Sequence, residues 1–169
     1  PSAADLCERA IVLSGLSKSY GLPGLRSGWL VIKEKTLREE IVNWKFYTSI
    51  CSPAPSEFLA EAALKVRGQL ISRSLEQIIQ NFDLAGQFFS RWPQLFTWRP
   101  PMAGSIALVG MNVNSVEETA ENLAREAGVL IQPATTLRWD DHHFRLGLGR
   151  AGFGPALEVF ENYLAKSPM

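Results

Sequence analysis

Cysteine is scarce in this chain. Cys7 and Cys51 are the two thiols among 169 residues, too few and too isolated for a disulfide framework or a thiolate metal cage. A reducing, cytoplasmic setting is the expectation that follows. An excess of one charge is also missing. Lys plus Arg equals Asp plus Glu at 17 each, so the overall field favours neither nucleic acid nor an anionic membrane as the main partner. No apolar run approaches the ~20 residues that a membrane-spanning helix needs, and no signal peptide opens the sequence. Histidine is limited to His142 and His143, which follow Asp140 and Asp141. Four consecutive loop residues point in different directions and no second ligand cluster accompanies them, so a solvated loop is expected there and no metal. Repeats and low-complexity tracts are absent.

What is present is enough apolar side chain for a packed core. Hydrophobic residues make up 46% of the chain and charged residues 20%, at a length that suits one domain or a little more. Residues 3–9 read as a helix end, and residues 11–15 and 28–32 as buried strands. Thr36 is placed to cap a helix through residues 42–47. Pro53 and Pro55 mark residues 48–55 as a joint. A helix with Phe58, Leu59, Ala62, Ala63 and Val66 follows. From Gln69 to Trp92 the residues Ile71, Leu75, Ile78, Phe82, Ala85, Phe89 and Trp92 form one apolar stripe along a long helix, which Pro93 ends.

Beyond it, residues 96–98 and 105–113 read as strands. Residues 116–127 form an amphipathic helix with Ala120, Leu123, Ala124 and Ala127 inward. Asn114 or Ser115 caps it, Glu117 and Glu118 suit its positive end, and Gly128 stops it. Short strands at 129–132 and 144–148 and a helix at 155–166 complete the pattern. The class is α/β, with helices on a small sheet.

The stretch with most chemistry is Ser14-Gly-Leu-Ser-Lys-Ser-Tyr-Gly-Leu-Pro-Gly-Leu-Arg-Ser-Gly-Trp29. Lys18 offers an amine, and lysine is the only side-chain type whose amine condenses with an aldehyde to a Schiff base. Arg26 offers a fork of donors for a phosphate, and Ser14 and Ser17 offer hydroxyls. Gly21, Pro23 and Gly24 suit tight turns. Read blandly, the same residues make a surface hairpin with a solvated lysine and arginine. Taken together they resemble the lysine loop of the fold-type I pyridoxal 5'-phosphate enzymes, nearest to the class I/II aminotransferases.

The resemblance implies that Lys18 holds the cofactor covalently and moves the proton between substrate and cofactor. It also implies that Arg26, Ser17 and Ser14 meet the phosphate. Many members carry serine three residues before the lysine. Gly15 stands there in this chain, which leaves that contact open. Tyr20 and Trp29, flanking the loop, are expected to be packing groups.

The resemblance further implies an organisation. Residues 1–35 would be a C-terminal remnant of a large cofactor-binding domain, 36–68 connecting helices, and 69–169 a small α/β sandwich domain. On that reading the chain is the C-terminal portion of an enzyme, inactive alone and binding the cofactor weakly. Its upstream part would supply the ring stacked on the cofactor, the acid at the pyridine nitrogen and the helix that cradles the phosphate. Strands 11–15 and 28–32, lacking their sheet, are expected to self-associate or to leave residues 1–35 disordered.

Arg145 lies inside the apolar stretch Phe144-Arg-Leu-Gly-Leu148, where a charge is costly without a partner. By resemblance it binds the substrate α-carboxylate. The alternative is an arginine that faces solvent or is paired structurally. Gly147-Leu-Gly-Arg-Ala-Gly152 spells a dinucleotide fingerprint, but too little chain follows for the rest of that unit, so a turn into the last helix is expected. Gly104 sits in a loop that often faces substrate in relatives. The implied activity is amino-group transfer between an amino acid and a 2-oxo acid, by a homodimer. Decarboxylase, lyase or synthase chemistry on the same scaffold, or a non-catalytic dimerisation or binding module, remain alternatives.

Overall fold

The computed structural model describes residues 1–166. Two units form along the chain, Pro1–Ser74 and a second from Leu75 onward. The first opens with a one-turn helix α1 (Ala3–Leu6), whose Ser2 and Asp5 make a capping box. Strands β1 (Ile11–Gly15) and β2 (Gly28–Ile32) pair antiparallel in the register Ile11 with Ile32 through Gly15 with Gly28. They form a two-stranded sheet and nothing more among the described residues. The expected strands are therefore present, but apart from Ile32 they are not buried. Ile11, Leu13, Leu30 and Val31 are all exposed, Leu13 at 78%, because no further strand or helix of this unit covers them.

Helices α2 (Lys35–Thr48) and α3 (Ala54–Lys65) follow. Glu34, not Thr36, caps α2. Its carboxylate accepts from the backbone N–H groups of Thr36 at 2.8 Å and Leu37 at 2.6 Å, and those bonds hold it below the usual carboxylate range. A two-oxygen acceptor one residue before the helix satisfies two orphan amides at once, which a threonine inside the first turn cannot do. The joint between α2 and α3 includes Ile50 at φ 56°, left-handed backbone that a branched side chain rarely adopts.

The second unit holds the core. Helix α4 (Arg67–Arg91) runs into it and presents Ala85, Phe88 and Phe89, all buried. Strands β3 (Phe96–Thr97), β4 (Ile106–Met111), β5 (Gln132–Pro133) and β6 (His143–Gly147) form an antiparallel sheet in the order β3-β4-β6-β5. Helix α5 (Val116–Ala127) is capped by Ser115, whose hydroxyl accepts from Glu118 N–H at 3.1 Å, and it ends on Gly128 at φ 69°. Helix α6 (Phe153–Lys166) starts two residues before the expected position.

Alternate residues of β4 and β6 point inward, namely Ala107, Val109, Met111, Phe144 and Leu146, and meet Phe88, Phe96, Leu123 and Phe160. Phe89 and Phe96 pack edge to face at 5.1 Å between centroids. The Arg91 guanidinium clasps Glu161 of α6 through two bonds of 2.6 and 2.8 Å. Of the strand expected at 129–132, Gln132 pairs and extends to Pro133. Residues 129–131 do not pair, and a 3-10 turn follows at Ala134–Leu137.

Candidate functional site

Lys18 sits at the crown of the loop between β1 and β2. The loop is tied at its neck, where Leu16 N–H donates to Ser27 O at 3.1 Å and Leu22 N–H donates to Leu16 O at 2.9 Å. Leu16 is fully buried and anchors this neck. At the tip, Gly21 N–H donates to Lys18 O at 3.1 Å, with Gly21 at φ 67°. Gly21 takes this left-handed turn without the penalty a side chain would carry. Lys18 itself is exposed. Among the described residues no carboxylate lies within 4.0 Å of its amine. A constrained backbone with an unpaired amine at its crest suits a nucleophile that must reach a carbonyl.

The neighbours are arranged by the same hairpin. Ser14, the fourth residue of β1, pairs in register with Trp29, and both are half-buried, as are Ser17 and Tyr20. Arg26 lies past the 3-10 turn at Pro23–Leu25, in left-handed backbone at φ 49°. Its Nη1 donates to Pro23 O at 2.9 Å, which folds the exposed guanidinium back over its own turn and leaves its other donors free.

Gly15 and Gly28 are register partners at the loop end of the two strands. A Cβ at Gly28 would lie 2.8 Å from Ser14 O, and one at Gly15 would lie 3.0 Å from Ser27 O and 3.1 Å from Gly28 Cα. A serine at position 15 would press its Cβ on the backbone at Ser27 and Gly28, which would have to give way to admit it.

The second unit holds Arg145, at the centre of β6. It is half-buried, and its Nη1 donates to Gln132 Oε1 at 2.8 Å. No carboxylate pairs with it among the described residues. Its partner is thus a neutral amide, and its charge remains uncompensated. Arg145, Arg150 and Gln132 line an open concavity of about 670 Å³, with Phe144, Leu146 and Phe153 as apolar wall. Two guanidiniums that no carboxylate pairs with among the described residues, beside an apolar wall, form a setting for an anion with a hydrocarbon part.

The other candidates of the sequence have structural employment. His143 Nδ1 lies 2.7 and 2.9 Å from the two Asp140 oxygens, a bond that lowers the Asp140 carboxyl below its ordinary range, with help from His142 N–H. Asp141 caps α5, accepting from Glu117 N–H at 2.8 Å, and is lowered chiefly by the Ser115 hydroxyl. No metal-binding cluster exists among the described residues.

The run Gly147–Gly152 is a turn into α6, clasped from α4 by Asn81. Asn81 Nδ2 donates to Leu148 O at 2.8 Å and to Arg150 O at 2.7 Å. Asn81 and Gln132 were not picked out by residue type. The available signals were a polar residue on the flank of the α4 stripe, and a glutamine at the level where a strand would pair with Arg145.

With this geometry in view, a family model described as aminotransferase class I and II matches residues 2–152. The chain belongs to the class I and II aminotransferases. It is 27% identical over 152 residues to capreomycidine synthase of Streptomyces vinaceus, an alignment covering 89% of this chain and 38% of the relative. It is 25% identical over 124 residues to the L-aspartate:5-guanidino-3-methyl-2-oxopentanoate transaminase of Pseudomonas syringae pv. syringae, covering 73% of this chain and 30% of the relative. Its fold superimposes with a TM-score of 0.89 on a pyridoxal-phosphate-dependent aminotransferase from Streptococcus suis at 25% identity, covering 98% of this chain and 44% of that one. The chain thus spans less than half the length of these relatives.

The cofactor of this aminotransferase family is pyridoxal phosphate. The donor set of the hairpin fits it: one unpaired amine for the aldehyde, hydroxyls at Ser14 and Ser17, and a guanidinium at Arg26 for the phosphate. Among the described residues no helix is long and apolar enough to cross a membrane.

Proposed function

We propose that this chain is the lysine-bearing portion of a longer pyridoxal-phosphate-dependent aminotransferase, which moves an amino group between an amino acid and a 2-oxo acid. The observation that carries this reading is Lys18, an unpaired amine held at the crest of a loop with a tied neck, in a chain of this family. When bound, the cofactor supplies an aldehyde and an electron sink. The chain's own residues do the rest. Lys18 Nζ would hold the aldehyde and, once the substrate's amine had displaced it, would be free to accept and return the proton of the substrate α-carbon. Ser14 and Ser17 would donate hydrogen bonds to the phosphate, Arg26 would offset part of its charge, and Arg145 would orient the substrate carboxylate with its fork.

Residues 1–35 act in this reading as part of a large cofactor-binding domain, 36–68 as connecting helices and 69–169 as the small domain. A homodimer fits the exposed aromatics of α2 and α3, where Trp44, Tyr47 and Phe58 are each at least 71% exposed. The same exposure supports self-association of the 169-residue chain. A cytoplasmic location fits two free, exposed thiols. Because one relative is named a synthase and another a transaminase, a different outcome on the same scaffold is the second reading.

The test is direct. The purified chain is mixed with pyridoxal phosphate, reduced with borohydride and digested, and the modified lysine is mapped by mass spectrometry. Preferential labelling of Lys18 over the other lysines, lost in Lys18→Ala with no increase elsewhere, is expected. Uniform labelling of all lysines in proportion to exposure would refute the assignment. Weak cofactor binding and no transamination are expected of the chain alone.

A further inference from the structure

We propose that Gln132 and Thr136 form a hydrogen-bonded relay whose role is to position Arg145 for a carboxylate. This inference rests on the carboxylate role of Arg145 proposed above and adds the device that holds it. The relay runs Arg145 Nη1 to Gln132 Oε1 at 2.8 Å, Gln132 Nε2 to Thr136 Oγ1 at 2.9 Å, and Thr136 Oγ1 to Pro133 O at 2.8 Å.

Proton counting fixes its direction. Pro133 O is a carbonyl and can only accept, so the single hydroxyl proton of Thr136 is spent there. Thr136 Oγ1 therefore presents lone pairs to Gln132, which must turn its NH2 toward the threonine. That leaves Gln132 Oε1 facing β6, where it meets the guanidinium. The flipped amide would satisfy neither neighbour.

Local structure builds the relay. Gln132 and Arg145 are register partners on β5 and β6. The 3-10 turn at Ala134–Leu137 brings Thr136 back over Pro133 O.

The chemistry of the partner is what makes this a positioning device. A glutamate at 132 would hold the guanidinium as firmly but would cancel its charge and occupy donors that a substrate carboxylate needs. Glutamine restrains one Nη and leaves the remaining donors of the fork and the full positive charge available. Restraint in advance lowers the ordering cost of binding.

The experiment uses the 169-residue chain and pyruvate as the probe, a 2-oxo monocarboxylate. Arg145 Nε–Hε is followed by NMR for its order parameter without ligand and for its shift during a pyruvate titration, at constant ionic strength. Thermal unfolding controls for folding. Expected are a lower Arg145 order parameter and roughly three- to tenfold weaker pyruvate binding in Gln132→Leu and Thr136→Val. Thr136→Ser should retain wild-type values, and Gln132→Glu should keep the order parameter high but weaken binding by about tenfold or more. The relay is overturned if Gln132→Leu and Thr136→Val keep wild-type order and affinity while Arg145→Met loses binding. If Arg145→Met binds pyruvate as well as the wild type, or the wild type shows no saturable shift, the carboxylate role itself fails and takes the relay with it.

Discussion

Replacing Asn81 should be the most damaging single change in the second unit for its size. Its side chain is 2% exposed and donates to two backbone carbonyls, Leu148 O at 2.8 Å and Arg150 O at 2.7 Å, while Gln77 Nε2 donates to its Oδ1 at 3.3 Å. These bonds join α4 to the turn that leads from β6 into α6. Asn81→Ala removes its two donated bonds, worth about 0.5–1.5 kcal/mol each, together with the longer bond it accepts from Gln77, and leaves a buried carbonyl unsatisfied, for a total of about 2–4 kcal/mol.

Asn81→Asp keeps the shape but removes both donors and aims a carboxylate at two carbonyl oxygens. At neutral pH its cost should reach about 3–5 kcal/mol. Burial raises the carboxyl's folded pKa in that variant, so its deficit should shrink as pH falls and the protonated form regains one donor. Urea unfolding followed by far-UV circular dichroism and by the fluorescence of Trp92, Trp98 and Trp139 reads the effect. With a slope of about 1–2 kcal/mol per molar, the midpoint should fall by about 1–4 M in the alanine variant. A loss below about 0.5 kcal/mol, or an aspartate variant as stable as the wild type at pH 7, would refute the reasoning.

Ser115→Ala removes the α5 cap and the hydroxyl that lowers Asp141, and should cost about 1 kcal/mol, or roughly 4–8 °C in the melting temperature of the second unit. Asp140 has a folded pKa depressed chiefly by His143. Its stabilisation is therefore present above the unfolded carboxylate value of about 3.9 and is lost as pH falls through the lower folded value. Urea midpoints of wild type and Asp140→Asn should differ at pH 6 and converge in acid. Gly28→Ala places a Cβ 2.8 Å from Ser14 O, so the hairpin must open. Amide exchange of Leu16 should quicken by about tenfold or more and Lys18 labelling should fall, whereas Gly24→Ala, with nothing within 4 Å of the new methyl, should leave both unchanged.

Periodicity made the second unit legible before its structure. The stripe on α4, the cap and stop of α5 at Ser115 and Gly128, and the alternation through β4 and β6 each arise from local rules that a sequence displays directly. Two kinds of feature escaped. Glu34 displaced Thr36 as the α2 cap because a carboxylate of the right reach satisfies two amides, a matter of geometry and not of residue preference alone. The pairing of Gln132 with Arg145, and of Asn81 with the turn after β6, joins residues far apart in the chain, and no spacing rule announces them. At the lysine loop the residue types were readable. The crowding that a Cβ at Gly15 or Gly28 would meet was not, because it depends on how closely the facing backbones approach.

The two units differ in what holds them. The second has a contiguous core of Phe88, Phe96, Phe144, Leu123 and Phe160, enough apolar burial to stand against chain entropy. In the first, the buried apolar residues are Leu16, Ile32 and three alanines, while Leu13, Trp44, Tyr47 and Phe58 stand in solvent. So small a core cannot offset the ordering of that many residues, yet the backbone around Lys18 is closely specified, by two neck bonds, one buried leucine and a pair of glycines at which a Cβ would crowd the facing backbone. Specification without burial is what a segment looks like when its stability comes from surfaces that cover it. Lys18 therefore depends for its rigidity on cover over the exposed faces of β1, β2 and α2, and its reactivity toward an aldehyde should rise with any partner surface that excludes water from them.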